Sequence, residues 1–228
     1  MGKPFSQIGL DRSLPHIGVI METNNASVYP KYELPVGFSF SQYKQGFEEQ
    51  WASLQYEIEN VDSIEEAKTI FKREFLDGKI TNWINKAPED MMSVDIEKSS
   101  CYNTMIDKMI FVLDADNNLA GTGSIWDGNM FGKGYQRLHW IAVSPQYQGK
   151  GIAKAIVSKL LDIYNSLGYS GYIYLTSQTW SYKALNIYME FGFSPYMGVK
   201  PQNWHSVNLV SGNFEPWDYE EKILKRGI

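Results

Sequence analysis

Leu138-His139-Trp140-Ile141-Ala142-Val143-Ser144-Pro145-Gln146-Tyr147-Gln148-Gly149-Lys150-Gly151-Ile152-Ala153 is the stretch on which the fold turns. Its first six residues form a short apolar strand. A proline-containing turn follows, and Gly149-Lys150-Gly151 then opens a helix with Ile152, Ile156, Leu160, Ile163 and Leu167 on one face. Gly168 is placed to stop that helix. Tyr172 to Thr176 reads as the next strand, so the unit is βαβ with a right-handed crossover and parallel strands. A glycine turn between strand and helix aims backbone N–H groups and the positive helix end at one spot, which suits a phosphate. The Gly-x-x-x-x-Gly-Lys-Ser/Thr loop of nucleotide triphosphatases is absent, and the third glycine of a dinucleotide fingerprint is missing. Alone, Gly-x-Gly at such a junction is as often a tight turn as an anion site.

A second segment supplies context. Ser181-Tyr182-Lys183-Ala184 begins a shorter helix, Tyr188 follows four residues later, and Gly192-Phe193 closes it. Gln146-x-x-Gly149-x-Gly151, preceded by Ala142-Val143-x-Pro145 and followed about thirty residues on by this segment, resembles the two ordered motifs of the GNAT superfamily of N-acetyltransferases. The resemblance spans Met109 to Met197, and Leu34 to Phe38 with the two helices after it resembles the family's opening strand and helix pair. It implies an α/β fold in one domain: a mixed, mostly antiparallel sheet with a central splayed parallel pair and helices on both faces. Residues 1–33 are expected as an N-terminal arm and 34–228 as the acetyltransferase domain, with the cofactor-binding unit at about 109–197.

The resemblance also implies the chemistry. Acetyl-CoA is the expected co-substrate. Its pantetheine arm would pair with the backbone of Ile141, Ala142 and Val143, and its pyrophosphate would lie on the amides of Gln148, Gly149, Lys150, Gly151, Ile152 and Ala153. Lys150 adds a point charge there. The family usually has Asn at the position of Ser181; a serine still caps the helix. The reaction is direct attack of an amine on a thioester. A lysine-like amine is only about 0.04% neutral at pH 7, a deficit of about 4.6 kcal/mol, so a positioned base is useful. The family often carries a glutamate on the first motif's strand, where this chain has Arg137 and His139 on one strand face. His139 is the candidate base, since its ordinary pKa near 6.5 suits the task; a half-buried core histidine is an equal reading. Asp127 and Glu190 are fallback bases. Tyr188 is the candidate acid beside the cofactor sulfur. On the residues alone it reads as a core tyrosine in the stripe Ala184, Tyr188, Phe191. No metal site is expected.

Outward from this unit, Met109–Leu113 and Leu119–Trp126 form an apolar hairpin around the turn residues Asp114 to Asn118. Phe47, Trp51, Leu54 and Ile58 recur at helical spacing. Asp62 or Ser63 caps a second helix carrying Ala67, Ile70, Phe71 and Phe75, stopped by Gly78. Gly37–Tyr43 alternates as a strand does, and Ile17–Met21 is one short run for an edge strand. A short helix is expected at Thr81–Asn85, strands at Phe193–Met197 and Ser206–Val210, and a terminal helical turn at Trp217–Lys225. From Pro88 to Thr104 the pattern is weak.

Composition bounds the function. The chain has 228 residues, 43% of them hydrophobic and 21% charged, enough for a full core. A net charge of −5 with no basic run disfavours nucleic acid. Cys101 is the only cysteine, so no internal disulfide forms, and it reads as an inert small hydrophobe. No 18-residue apolar run or signal-type segment is present, and the myristoylation-like Met1 to Ser6 is a chance match; a cytoplasmic protein with no membrane partner is expected. The 14% aromatic content favours a binding cleft, for which Trp51, Tyr56, Trp126, Trp180 and Trp204 are wall candidates or core. The expected acceptor is a small-molecule amine. A protein N-acetyltransferase and a non-catalytic acyl-CoA-binding module are the alternatives, and a homodimer is compatible with all three.

Overall fold

In β3 (Met109–Leu113) every residue is buried, but alternate residues go to different cores: Ile110 and Val112 to one, Met109 and Phe111 to the other. That alternation is the period-2 geometry of a strand covered on both faces. The computed structural model describes residues 10–76, 102–128, 130–131, 135–198 and 201. The expected helix at Thr81–Asn85, the strand at Ser206–Val210, the turn at Trp217–Lys225, Cys101, Trp204 and the Met1 to Ser6 pattern lie outside the described residues.

Among the described residues the seven strands are β1 (Gly18–Thr23), β2 (Ser39–Gln42), β3, β4 (Leu119–Asp127), β5 (Gln136–Val143), β6 (Ile173–Gln178) and β7 (Ser194–Pro195). They lie in the order β2-β3-β4-β5-β6-β1-β7. Among these described strands only β5 and β6 run parallel; every other neighbouring pair is antiparallel. The fold is therefore the α/β arrangement that the sequence predicts. One detail differs. The strand of the N-terminal arm is not at the edge, because β1 pairs with β6 over six residues on one side and with β7 on the other.

On one face, α4 (Ile152–Ser166) buries Ile152, Ile156, Leu160 and Leu161 against the sheet, and α5 (Tyr182–Glu190) adds Leu185 and Tyr188. Close approach is enforced at Gly123: a Cβ there would lie 2.9 Å from Ile156 Cγ2 and from Leu160 Cδ1. On the other face, α1 (Phe47–Glu57), α2 (Ile64–Phe71) and the turn that follows it pack Trp51, Phe71 and Phe75 on Phe111 and Trp126. Each such side chain, fully buried, stabilises by roughly 1.5–3 kcal/mol relative to exposure. Ser63 caps α2 by accepting from the Glu66 amide at 3.1 Å, and Glu66 accepts in turn from the Asp62 amide at 2.9 Å. Beyond Phe71 the helix continues as a π-helical turn, Lys72–Leu76. The sequence pattern did not reveal α3 (Tyr102–Lys108), which precedes β3 and buries Met105.

Candidate active site

The parallel pairing of β5 with β6 lasts for three residues only: Gln136 with Ile173, Arg137 with Tyr174, Leu138 with Leu175. Beyond it β5 stays on β4, and β6 stays on β1 through Gln178. The two facing edges therefore diverge, and their backbone groups are left without a strand partner. A bulge accompanies the divergence. Ser124 faces His139 while Thr122 faces Ala142, so Trp140 and Ile141 together oppose Gly123. Trp140 takes φ +49°, a left-handed conformation that is unusual for so large a residue. The bulge breaks the in–out alternation: His139 and Trp140, consecutive in sequence, both lie on the α1–α2 face, and Ile141 returns to the α4 face.

The divergence opens a cleft of about 1080 Å³. Its walls are β5 from Arg137 to Val143, β6 from Leu175 to Gln178, the start of α4, and α5 at Ala184, Ile187 and Tyr188. Of the residues singled out in the sequence, His139, Ile141, Ala142, Val143, Gln148, Gly149, Gly151, Ile152, Ala153, Ser181 and Tyr188 all line it. Lys150 does not: its Nζ sits 5.2 Å from the ring centre of Tyr147 and 5.8 Å from that of Phe38, a cation–π contact that draws it away. Lys154 lines the cleft, but it pairs with Glu190 at 2.7 Å.

At the α4 end, Gly149 and Gly151 have φ of +77° and +85°, and a Cβ on either would meet nothing within 4 Å. Gly151 is the N-cap and brings no side chain to the first-turn amides. The helix thus begins with uncapped N–H groups facing open space, a fit for an anionic diphosphate. Gln148 is less available, since its amide donates to the Pro145 carbonyl at 3.4 Å and its side chain to that of Val143. Ser181 does not cap α5 as expected; it holds the N-cap position without a side-chain hydrogen bond.

Tyr188 is 8% exposed, and burial pushes its phenol well above the ordinary range, so the hydroxyl keeps its proton. No hydrogen bond to that hydroxyl is found among the described residues. His139 is largely buried, with 12% of its side chain exposed. Loss of hydration, with Arg137 nearby, lowers its imidazole to about 4 despite the opposing pull of Glu74. The ring is therefore neutral at pH 7, and the ordinary value near 6.5 does not hold here. Sequence reasoning missed Glu74. It is 2% exposed, carried by the π-helical turn, and its carboxylate contacts His139 Nε2 and accepts from Trp140 Nε1 at 2.8 Å. The fallback bases are both engaged: Asp127 with Lys108 at 3.3 Å and with Gln136, Glu190 with Lys154 and Tyr32. Trp51 and Trp126 are core, Tyr56 is exposed, and Trp180 lines the cleft.

The profile of the acetyltransferase (GNAT) family matches residues 70–193. The chain belongs to that family. Membership carries acyl transfer as the reaction class, with acetyl-CoA the family's usual donor. Solved structures with a similar fold include a GCN5-related N-acetyltransferase from Sphaerobacter thermophilus (14% identity, 78% of this chain and 48% of that one, TM-score 0.54). A GNAT-family acetyltransferase from Colwellia psychrerythraea (11%, 80% and 54%, 0.53) and a tandem GNAT protein of the clavulanic acid biosynthesis pathway (13%, 82% and 52%, 0.51) are also similar. The chain spans about half the length of these structures. Comparison with curated proteins by sequence returns no match. Among the described residues no helix is long and apolar enough to cross a membrane.

Proposed function

We propose that this GNAT domain transfers the acetyl group of acetyl-CoA to the amine of a small molecule. One observation carries the reading: a splayed strand pair, an uncapped glycine-opened helix start and a protonated tyrosine all border a single cleft. Its volume, about 1080 Å³, is at the upper end for small-ligand sites and suits a cofactor arm plus a small acceptor. Acetyl-CoA supplies the thioester carbon that the amine attacks.

The chain's own residues do the rest. The amides at Gly149 to Ala153 would hold the diphosphate. The edge of Ile141 to Val143 that β6 leaves uncovered would pair with the pantetheine arm and polarise the carbonyl, with the Gln148 side chain exchanging its contact to the Val143 carbonyl and Ser181 at the opposite wall. His139 takes the proton that the attacking nitrogen releases. Tyr188 gives its hydroxyl proton to the departing sulfur and regains one from solvent. A proton acceptor in place is worth roughly 10²–10⁴ in rate.

The test is release of free thiol from acetyl-CoA across a panel of primary amines, with mass analysis of the acceptor. Acceptor-dependent release with an added acetyl mass supports the reading. Tight acetyl-CoA binding without transfer to any amine or peptide would replace it with a non-catalytic acyl-CoA module.

A further inference from the structure

Two irregularities in the fold meet at one place. The π-helical turn Lys72–Leu76 carries Glu74 to the sheet, and the β5 bulge turns His139 and Trp140 to the same face. His139 Nε2 contacts the Glu74 carboxylate, and Trp140 Nε1–H donates to it. An apolar residue at position 74 would fit this aromatic surrounding without the cost of burying a charge. Local irregularity and a buried carboxylate behind a cleft-lining histidine are departures that functional sites commonly make. We propose that Glu74 is a positioning residue for acetyl transfer, fixing the Nε2–H tautomer of His139 so that Nδ1 is the proton-accepting atom. The proposal rests on the transferase reading above.

The chemistry of the contacts decides the tautomer. Trp140 Nε1–H donates to the same Glu74 oxygen, which favours the ionised carboxylate, and an ionised carboxylate only accepts, so its contact with Nε2 requires a proton on that nitrogen. Arg137 Nη2 lies 3.2 Å from the same Nε2. A guanidinium only donates, so the two contacts make opposite demands, and the closer carboxylate prevails. Nδ1 then carries the lone pair. It has no hydrogen-bond partner among the described residues, and His139 lines the cleft. As an amine adds to the thioester carbon, the nitrogen's proton passes to Nδ1, and the positive charge that develops on the ring sits against Glu74. The C–S bond then breaks, and the thiolate takes its proton from Tyr188. The charged groups acting on the imidazole are Glu74, from the π-helical turn, and Arg137, from β5 itself.

The tautomer is measured directly by nitrogen NMR of the ¹⁵N-histidine-labelled wild-type protein. The chain has three histidines, and His139→Gln identifies the signal. The expected result is a neutral ring protonated at Nε2 between pH 6 and 8. A ring protonated at Nδ1 overturns the proposal, whether or not transfer is detected. In parallel, Glu74→Gln should lower kcat by roughly 10²–10⁴-fold, as expected for loss of an orienting and charge-stabilising carboxylate. Its KM for acetyl-CoA should change less than about twofold, because Glu74 is not among the residues that line the cleft. Wild-type kcat in Glu74→Gln also overturns the proposal. If that variant does not fold, the wild-type tautomer still decides. Absence of transfer by the wild type to every acceptor tested would instead remove the transferase reading.

Discussion

Burial acts in opposite senses on the two proton-handling side chains. It holds the Tyr188 phenol in its protonated form and the His139 imidazole in its unprotonated form. Each is thereby set in the state its proposed role requires before substrate arrives. Tyr188→Phe removes the hydroxyl and keeps the ring that packs near Phe193. The expected result is a fall in kcat of about 10²-fold or more with little change in KM for acetyl-CoA, read by steady-state kinetics. Unchanged turnover would remove the acid role. His139 has two linked consequences. The acidic limb of kcat/KM should fall near pH 4 rather than 6.5, and it should be missing from whatever activity remains in His139→Ala. Stability follows the same shift. The unfolded imidazole takes up a proton as pH falls through about 6.5, whereas the folded one does so only near 4. The folded state is thus favoured fully above pH 6.5 and loses that advantage between 6.5 and 4. Urea midpoints across this range should fall more steeply for the wild type than for His139→Gln.

At the scale of elements, the site depends on where regular structure stops. β5 and β6 part after Leu138 and Leu175, α4 begins at a left-handed glycine, and α2 loosens into a π-helical turn. Gly151→Ala tests the second of these. A Cβ there meets nothing within 4 Å, so no clash results, but φ +85° is strained for alanine by about 1–2 kcal/mol. The methyl group would also intrude on the space in front of the first-turn amides. A modest fall in thermal midpoint is expected, together with a clear loss of acetyl-CoA affinity by calorimetry. Affinity equal to wild type would show that the diphosphate is not held on this helix start. The glycine-opened strand–turn–helix and the Tyr188 helix were legible because the left-handed turns that start and stop these helices demand glycine at fixed positions. Helix α3 was not, since seven residues beside an irregular stretch offer too few turns to display a period.

For the molecule as a whole, the cleft lies between the two halves of the sheet, each supported by its own neighbours. β5 is held through β4 and the α1–α2 layer, and β6 through β1 and β7. A ligand bridging both halves should therefore add to global stability. At acetyl-CoA one hundred times its Kd, linkage gives about 2.7 kcal/mol. For a chain of this size that is a rise in thermal midpoint of about 5–10 °C. Coenzyme A should give a comparable shift and adenosine alone a smaller one. No shift with any of the three, at millimolar ligand, would mean that the splayed strands do not bind this cofactor.

The sequence by itself determined the order of strands and helices through the central unit and the glycine positions of the turn that opens α4, because these depend on local spacing and backbone conformation. Only the tertiary structure decided that the arm's strand β1 lies inside the sheet, that Lys150 turns toward Tyr147, and that Glu74 meets His139 across 65 positions of chain. Contacts of that kind, and the proton affinities they set, arise from desolvation and packing between segments remote in sequence, which no periodicity along the chain encodes.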